Sequence, residues 1–102
     1  MEFWILKDGI PIAVTEDEWR VWFYNDQGTL KNRLIRHDKI KGKGMVSTVF
    51  LGINTSFSKN PRLWETALFE SDIGEGDYDI YRSETKEKAL EIHESLLKKI
   101  SL

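Results

Sequence analysis

The sequence contains no cysteine and only two prolines among its 102 residues. Without cysteine, disulfide bonds, thiolate metal ligands and thiol nucleophiles are all excluded. A chain without disulfides is typical of a reducing compartment, so we expect a cytoplasmic protein.

Long apolar runs are also missing. The first apolar run ends at Lys7 after four residues and has no basic region before it, so it does not have the pattern of a signal peptide. The longest later run, 49–53, is far too short to span a membrane. We therefore expect neither export nor membrane insertion.

The length and composition suit a single globular domain covering residues 1–102. The net charge is -2, but the charges are unevenly distributed along the chain. Positions 31–43 hold six Lys or Arg residues and one acid, whereas positions 63–81 hold six acids and no Lys or Arg. This distribution predicts either a basic and an acidic surface or pairing between adjacent strands.

Local patterns at the N-terminus predict a hairpin followed by a helix. Asp8 and Gly9 separate two apolar runs, which is a strong hairpin signal, and Pro11 favours an edge position for the second strand. Thr15 and Glu18 form a capping-box pattern ahead of aromatic residues at helical spacing. We expect this helix to have about ten residues.

The remainder of the chain predicts a meander of strands and a C-terminal helix. The run 45–53 is β-branched and aromatic with almost no charge, so we expect a central strand covered on both faces. Weaker strand patterns occupy 33–38, 63–70 and 78–81, and an apolar stripe follows the N-cap residue Thr85. The predicted class is α+β, with an antiparallel sheet of about four to five strands (N-terminal hairpin plus meander) packed by two helices.

From Met45 onward the chain resembles a family of short bacteriophage and prophage proteins that has no established activity. The residues that carry the resemblance are Met45, Val46, Ser47, Thr48, Val49, Phe50, Leu51, Gly52, Ile53, Asn54, Phe57, Leu63, Trp64, Glu65, Thr66, Phe69, Tyr81, Arg82, Ser83, Ala89 and His93. Thr55 stands where members often have histidine, so a role for that histidine does not carry over. The resemblance implies a phage or prophage origin and, because small phage accessory proteins often counter host defence, a binding protein of that kind.

Candidate ligand-binding residues come from four parts of the sequence. They are the basic stretch, the polar loop after the central strand, the strand that follows it, and the apolar stripe of the last helix. The candidates are Arg36, Lys43, Asn54, Thr55, Phe57, Arg62, Trp64, Glu65 and His93. Loops on rigid strands often bind ligands, and basic side chains suit phosphate. Each also has a simpler explanation, namely a solvated hairpin, an ordinary connection, a core tryptophan beside an exposed carboxylate, and a buried histidine with partners in the sheet.

No pattern in the sequence predicts a metal, a cofactor or a defined catalytic group. With two histidines and no cysteine, a transition-metal site would need several carboxylates at a spacing that does not occur. The acidic segment 72–79 departs from the EF-hand spacing, and the glycines around Lys43 lack the ending of a phosphate-binding loop.

Three functions remain open from the sequence. The first is a non-catalytic phage protein that sequesters a nucleotide-like signal or blocks a host protein. The second is a nucleic-acid-associated protein that uses the basic stretch 31–43, although the acidic net charge disfavours it. The third is a small-molecule enzyme with Glu65 or His93 as acid or base. An exposed sheet edge and many aromatic residues are also compatible with a homodimer or a higher homo-oligomer.

Overall fold

The computed structural model of the chain describes residues 1–25, 33–55, 60–71, 73 and 76–102. In chain order, these residues form β1 (Glu2–Lys7), β2 (Ile10–Val14), α1 (Glu16–Asn25), β3 (Leu34–Ile40), β4 (Gly44–Phe50), β5 (Ile53–Asn54), β6 (Trp64–Phe69), β7 (Tyr78–Ser83) and α2 (Lys86–Ser101). The strands make a small antiparallel sheet in the order β2-β1-β5 and a four-stranded antiparallel sheet in the order β3-β4-β6-β7. The predicted α+β class is confirmed, but the N-terminal hairpin belongs to the small sheet rather than to the meander.

The local signals at the N-terminus act as predicted. Asp8 and Gly9 have φ angles of 52° and 79°, the conformation of a tight hairpin turn, and β2 lies at a sheet edge. The Glu18 amide donates to Thr15 Oγ1 at 3.2 Å, and the Thr15 amide donates to Glu18 Oε1 at 3.2 Å. This reciprocal pair is the predicted capping box, and it fixes where α1 begins.

The apolar run 45–53 is divided between the two sheets. It supplies most of β4, which is central in the four-stranded sheet as predicted, and then passes through Gly52 into β5 of the small sheet. Gly52 has a φ of 75°, and a Cβ atom at this position would overlap the carbonyl oxygen of Trp4. The Trp4 amide donates to the Gly52 carbonyl at 2.8 Å, so β1 lies directly against this link. Glycine is required here both by the left-handed backbone and by the close approach of β1.

The helix α2 covers one face of the four-stranded sheet. The core residues Val46 and Leu68 of the sheet pack against Leu96 and Leu97 of the helix. A second cluster lies toward the small sheet and consists of Phe50, Leu63, Trp64 and Ala89, with Trp4, Leu6, Trp22 and Ile35 packed against it.

For the part of the chain that the structure describes, the expectation that the central strand is covered on both faces is wrong. Side chains along β4 and β6 alternate between buried and half-buried, because α2 packs on one face only and α1 packs on β1 of the small sheet. We call the uncovered side the open face. It is formed by Leu34, His37, Lys39, Met45, Ser47, Val49, Glu65, Ala67, Phe69, Tyr78, Ile80 and Arg82. No described helix packs on the open face.

Candidate functional site

A small cleft at one end of the four-stranded sheet brings together three of the sequence candidates. It has a volume of about 100 Å³ and is lined by Asn54, Thr55, Arg62 and Arg82. Backbone hydrogen bonds hold the two segments together, since the amides of Leu51 and Gly52 both donate to the Leu63 carbonyl, at 2.8 and 3.2 Å. The segment that precedes β5 is therefore fixed against the segment that precedes β6, which places the residues of both at the cleft.

Arg82 is the residue of this cleft that the sequence candidates did not include. Its Nη2 atom donates to the carbonyl oxygen of Arg62 at 2.7 Å and also to the carbonyl oxygen of Ile53. Nη1 lies 3.8 Å from Glu65 Oε2, which is an ion pair without a hydrogen bond. The guanidinium is thus held in one orientation by two backbone segments, while the donors of Nη1 remain available.

The charges at the cleft favour an anion. The guanidinium of Arg62 is exposed and has no hydrogen bond or ion pair with another described residue. Two guanidinium groups and the single carboxylate of Glu65 leave the cleft with an excess of positive charge. Guanidinium groups bind planar and tetrahedral anions through paired N–H donors. A volume of about 100 Å³ is small for a whole nucleotide but sufficient for one phosphate or carboxylate group.

Two aromatic candidates do not contribute described side chains to the cleft. Trp64 is 7% exposed and packs in the core, with its ring 5.3 Å from that of Phe50. Its predicted neighbour Glu65 lies on the open face, where it pairs with Arg82. Phe57 lies outside the described residues.

His93 lies on the opposite side of the sheet, sealed beneath α2. The imidazole is 0% exposed, and its Nδ1 atom is 2.8 Å from Thr48 Oγ1. Thr48 Oγ1 is 2.9 Å from Thr66 Oγ1, which also lies 3.3 Å from the Ala89 carbonyl oxygen. On the other side of the ring, Nε2 is 2.8 Å from Asp38 Oδ2. We call the hydrogen-bonded side chains of Thr66, Thr48, His93, Asp38 and Arg36 the buried polar chain.

The carboxylate of Asp38 sets the tautomer of His93. A carboxylate only accepts, so Nε2 carries the proton and Nδ1 accepts from the hydroxyl of Thr48. Burial lowers the pKa of His93 below its ordinary value, although the Asp38 carboxylate acts in the opposite direction. The imidazole is therefore neutral at neutral pH. The pKa of Asp38 is lowered by its hydrogen bonds from His93 and Arg36.

Three of the five described cations of the basic stretch are engaged within the chain. Arg36 Nε donates to Asp38 Oδ2 at 2.6 Å, and its Nη1 donates to Glu94 Oε2 at 2.7 Å. Lys43 Nζ donates to the last two carbonyl oxygens of the chain at 3.2 and 3.3 Å. Arg33 is buried, with its guanidinium carbon 3.8 Å from the ring centroid of Phe23. Arg36 and Lys43 are therefore remote from the cleft, and each is satisfied by another element.

Among the described residues, no group of three or more His, Asp or Glu side chains has the arrangement of a metal site. No described helix is both long and apolar enough to cross a membrane. Comparison of the chain with protein-family models, with curated proteins and with solved structures found no match. The geometry of the cleft and of the buried polar chain is therefore the basis for assigning a function.

Proposed function

We propose that the protein is a non-catalytic binding protein that takes a phosphate-bearing small ligand at the cleft. In the phage setting that the family resemblance implies, such a protein would sequester a nucleotide signal of the host. The observation that carries the proposal is the fixed guanidinium of Arg82 beside the unpaired guanidinium of Arg62, in a cleft of about 100 Å³. One phosphate group would occupy the cleft, and the remainder of the ligand would extend outside it.

The orientation of Arg82 supports binding because it is already fixed before a ligand arrives. Its two carbonyl acceptors hold the side chain, so little rotamer entropy remains to be lost when an anion binds. Arg62 remains free to close on the ligand from the other side. A rigid donor and a mobile donor together form a clamp suited to an oxyanion.

The groups at the cleft favour binding over chemistry. Two arginines, an asparagine and a threonine supply hydrogen-bond donors, but none is a general base at neutral pH. The carboxylate of Glu65 is held by Arg82, and His93 is sealed on the other face of the sheet. An enzyme that used His93 would have to lift α2 away from the sheet for every turnover.

The nucleic-acid alternative is less well supported by the described side chains. In the part of the basic stretch that the structure describes, only Lys39 and Lys41 are exposed cations without a hydrogen-bond or ion-pair partner. Two free cations could neutralise only about two phosphates, so they would contribute little to the affinity for a nucleic-acid backbone.

Ligand retention and titration test the proposal. The protein is purified, denatured by heat, and the released small molecules are analysed by mass spectrometry. In parallel, inorganic phosphate, cyclic di- and trinucleotides and ADP-ribose derivatives are titrated by calorimetry. We expect at least one nucleotide to bind in competition with inorganic phosphate, and Arg62→Gln to weaken its binding by about tenfold or more, because a hydrogen bond to a charged group is lost.

Lys98→Gln is the matched control, because it removes one exposed positive charge from α2, away from the cleft. It should leave affinity unchanged, and both variants should keep the wild-type melting temperature because neither side chain makes a hydrogen bond or ion pair with another described residue. Absence of binding to every probe, or equal losses in the two variants, would refute the proposal.

A further inference from the structure

The open face of the four-stranded sheet is a flat apolar surface that nothing described in this chain covers. The inner strands contribute Met45, Ser47, Val49, Ala67 and Phe69, all half-buried and uncharged, together with Glu65 toward one end. Beside them, Tyr78 and Ile80 of β7 are 55% and 47% exposed. Contiguous exposed apolar surface of this kind marks an interaction site.

The composition of the open face suits a protein partner better than a nucleic acid. Its apolar centre has charged residues only around it, which is the anatomy of a protein interface. The one carboxylate, Glu65, already has Arg82 as its partner 3.8 Å away. Lys39 is then the only cation of this face without a described partner, whereas a single-stranded nucleic acid would require several.

The edges of the same sheet carry opposite charges. On the β3 side, Lys39 and the following turn residue Lys41 are exposed. On the β7 side, Asp77 precedes β7 and Glu70 follows the neighbouring strand β6, and both are exposed. None of these four side chains has a partner among the described residues. The two edges are separated by β4 and β6, roughly 14 Å across the sheet, so these charges cannot pair within one chain.

We propose that two copies of this chain pair through their open faces, with the two-fold axis parallel to the strands. A rotation about that axis places β3 of one copy over β7 of its partner and keeps the same ends of the strands together. Lys39 and Lys41 lie at the same end of the sheet as Asp77 and Glu70, because Lys39, Met45, Phe69 and Tyr78 are aligned across the four strands. The basic edge of each copy therefore meets the acidic edge of the other, twice per dimer.

Other ways of joining two copies conflict with these charges. A two-fold axis perpendicular to the strands would place β3 over β3 with the strand ends reversed, so Lys39 would lie over the Leu34 end of the facing strand and away from the acidic residues. Pairing of β3 with β7 side by side is not closed by a two-fold axis and would generate an open polymer. Face-to-face packing of the two sheets, about 10 Å apart, is the arrangement that satisfies both the apolar centre and the charged edges.

The size of the face sets the expected affinity. Four strands of six or seven residues present a footprint of roughly 20 by 20 Å. The surface that each copy would bury is therefore smaller than the area of about 800 Å² per partner that stable complexes bury, even though protruding side chains add to the flat footprint. The dimer is therefore expected to dissociate in the micromolar range, and salt should weaken it.

Sedimentation velocity over a concentration series from about 1 to about 500 μM tests the proposal. We expect a reversible monomer–dimer equilibrium, and Ala67→Arg, which introduces a charge at the centre of the open face, should weaken it by at least about tenfold. Ile80→Lys provides a second variant at an exposed position in case Ala67→Arg does not fold, as judged by circular dichroism. Lys98→Glu, on α2, is the control and should leave the equilibrium unchanged.

Charge exchange tests the orientation of the two copies. Changing Lys39 and Lys41 to Glu should weaken the dimer, and so should changing Glu70 and Asp77 to Lys. Combining the four changes should restore it, because the opposite charges then meet again. Three results would overturn the proposal. The protein could stay monomeric at every concentration, the dimer could keep its affinity in Ala67→Arg and Ile80→Lys, or the variant with all four charge changes could dimerise no more tightly than the two double variants. If the protein stays monomeric and binds a single-stranded oligonucleotide, the open face is a nucleic-acid surface and the dimer proposal is wrong.

Discussion

His93 and Asp38 are joined by a 2.8 Å hydrogen bond between Nε2 and Oδ2, which ties the middle of α2 to the edge strand β3. The other ring nitrogen contacts the hydroxyl of Thr48 on the central strand, so one imidazole connects the helix to two strands. A buried polar group is stable only when its donors and acceptors are used, and here both ring nitrogens are used. The buried polar chain thus contributes to holding α2 on the sheet.

Stability should fall as the pH drops below about 6.5. Burial lowers the pKa of His93 below its ordinary value of 6.5 in the folded protein, whereas the unfolded chain binds a proton near that value. Protonation therefore favours the unfolded state, and the free energy of unfolding declines until the pH reaches the lower folded pKa. The slope from this group is at most about 1.4 kcal/mol per pH unit. Urea unfolding at several pH values measures it.

Replacing each histidine in turn separates the contribution of His93 to the pH dependence of stability from the contributions of other titrating groups. His93→Gln removes the titrating group and should flatten the slope below about pH 6.5. His37→Gln, at an exposed position on β3, is the matched substitution with which His93→Gln is compared. Equal slopes in the wild type and in His93→Gln would contradict the assignment.

Asp38→Asn should destabilise the protein by about 1–3 kcal/mol, because the two donors of His93 and Arg36 lose a charged acceptor. It should also lower the pKa of His93 further, since the carboxylate acts to raise that pKa. NMR titration of the imidazole protons and chemical denaturation measure the two effects. Glu94→Gln, which removes the other partner of Arg36 at a more exposed site, should cost less than about 1 kcal/mol. A similar loss in both variants would show that Asp38 acts only through its exposed ion pair.

Thr48→Val should cost about 1–3 kcal/mol, because it leaves the buried Nδ1 atom of His93 without a donor. Thr66→Val should cost less, because its hydroxyl contacts only Thr48 and the Ala89 carbonyl. In the double variant the losses should not add, since the two hydroxyl groups share one hydrogen bond. The free energies of unfolding of the wild type, the two single variants and the double variant complete this double-mutant cycle. Additive losses would show that the two hydroxyl groups of the buried polar chain do not interact.

Gly52→Ala should destabilise the protein more than Gly9→Ala does. Both glycines have a positive φ, 75° and 79°, so both substitutions carry the backbone strain of about 1 kcal/mol. Only at Gly52 does the added methyl group overlap the Trp4 carbonyl oxygen, while nothing lies within 4 Å of a Cβ at Gly9. Thermal melting of the two variants gives the comparison, and equal shifts would exclude a close approach of β1.

Elements defined by neighbouring residues could be predicted from the sequence. The turn at Asp8 and Gly9, the box of Thr15 and Glu18, and the N-cap Thr85 each depend on residues within four positions. Their physical chemistry is local, so the pattern alone indicated them. The cleft was predicted in part, because Asn54, Thr55 and Arg62 flank the ends of two strands.

The features that could not be predicted depend on distant pairing. His93 is 55 positions from Asp38, and no local pattern indicated that β3 would present Asp38 toward α2. Arg82 was missed because its register opposite Glu65 follows only from the pairing of β6 with β7. The open face was missed because Met45, Ser47 and Val49 are small or apolar, as in a strand buried on both sides.

The two-residue passage at Leu51 and Gly52 joins the sheets more tightly than a loop would. Trp19 Nε1 donates to the Leu51 carbonyl at 3.2 Å, which attaches α1 to the same link. Detachment of the N-terminal hairpin would therefore disturb the inner strand β4 of the four-stranded sheet. Amide protons of β1 and β4 should accordingly exchange with solvent in one shared opening event, as a single cooperative unit rather than two.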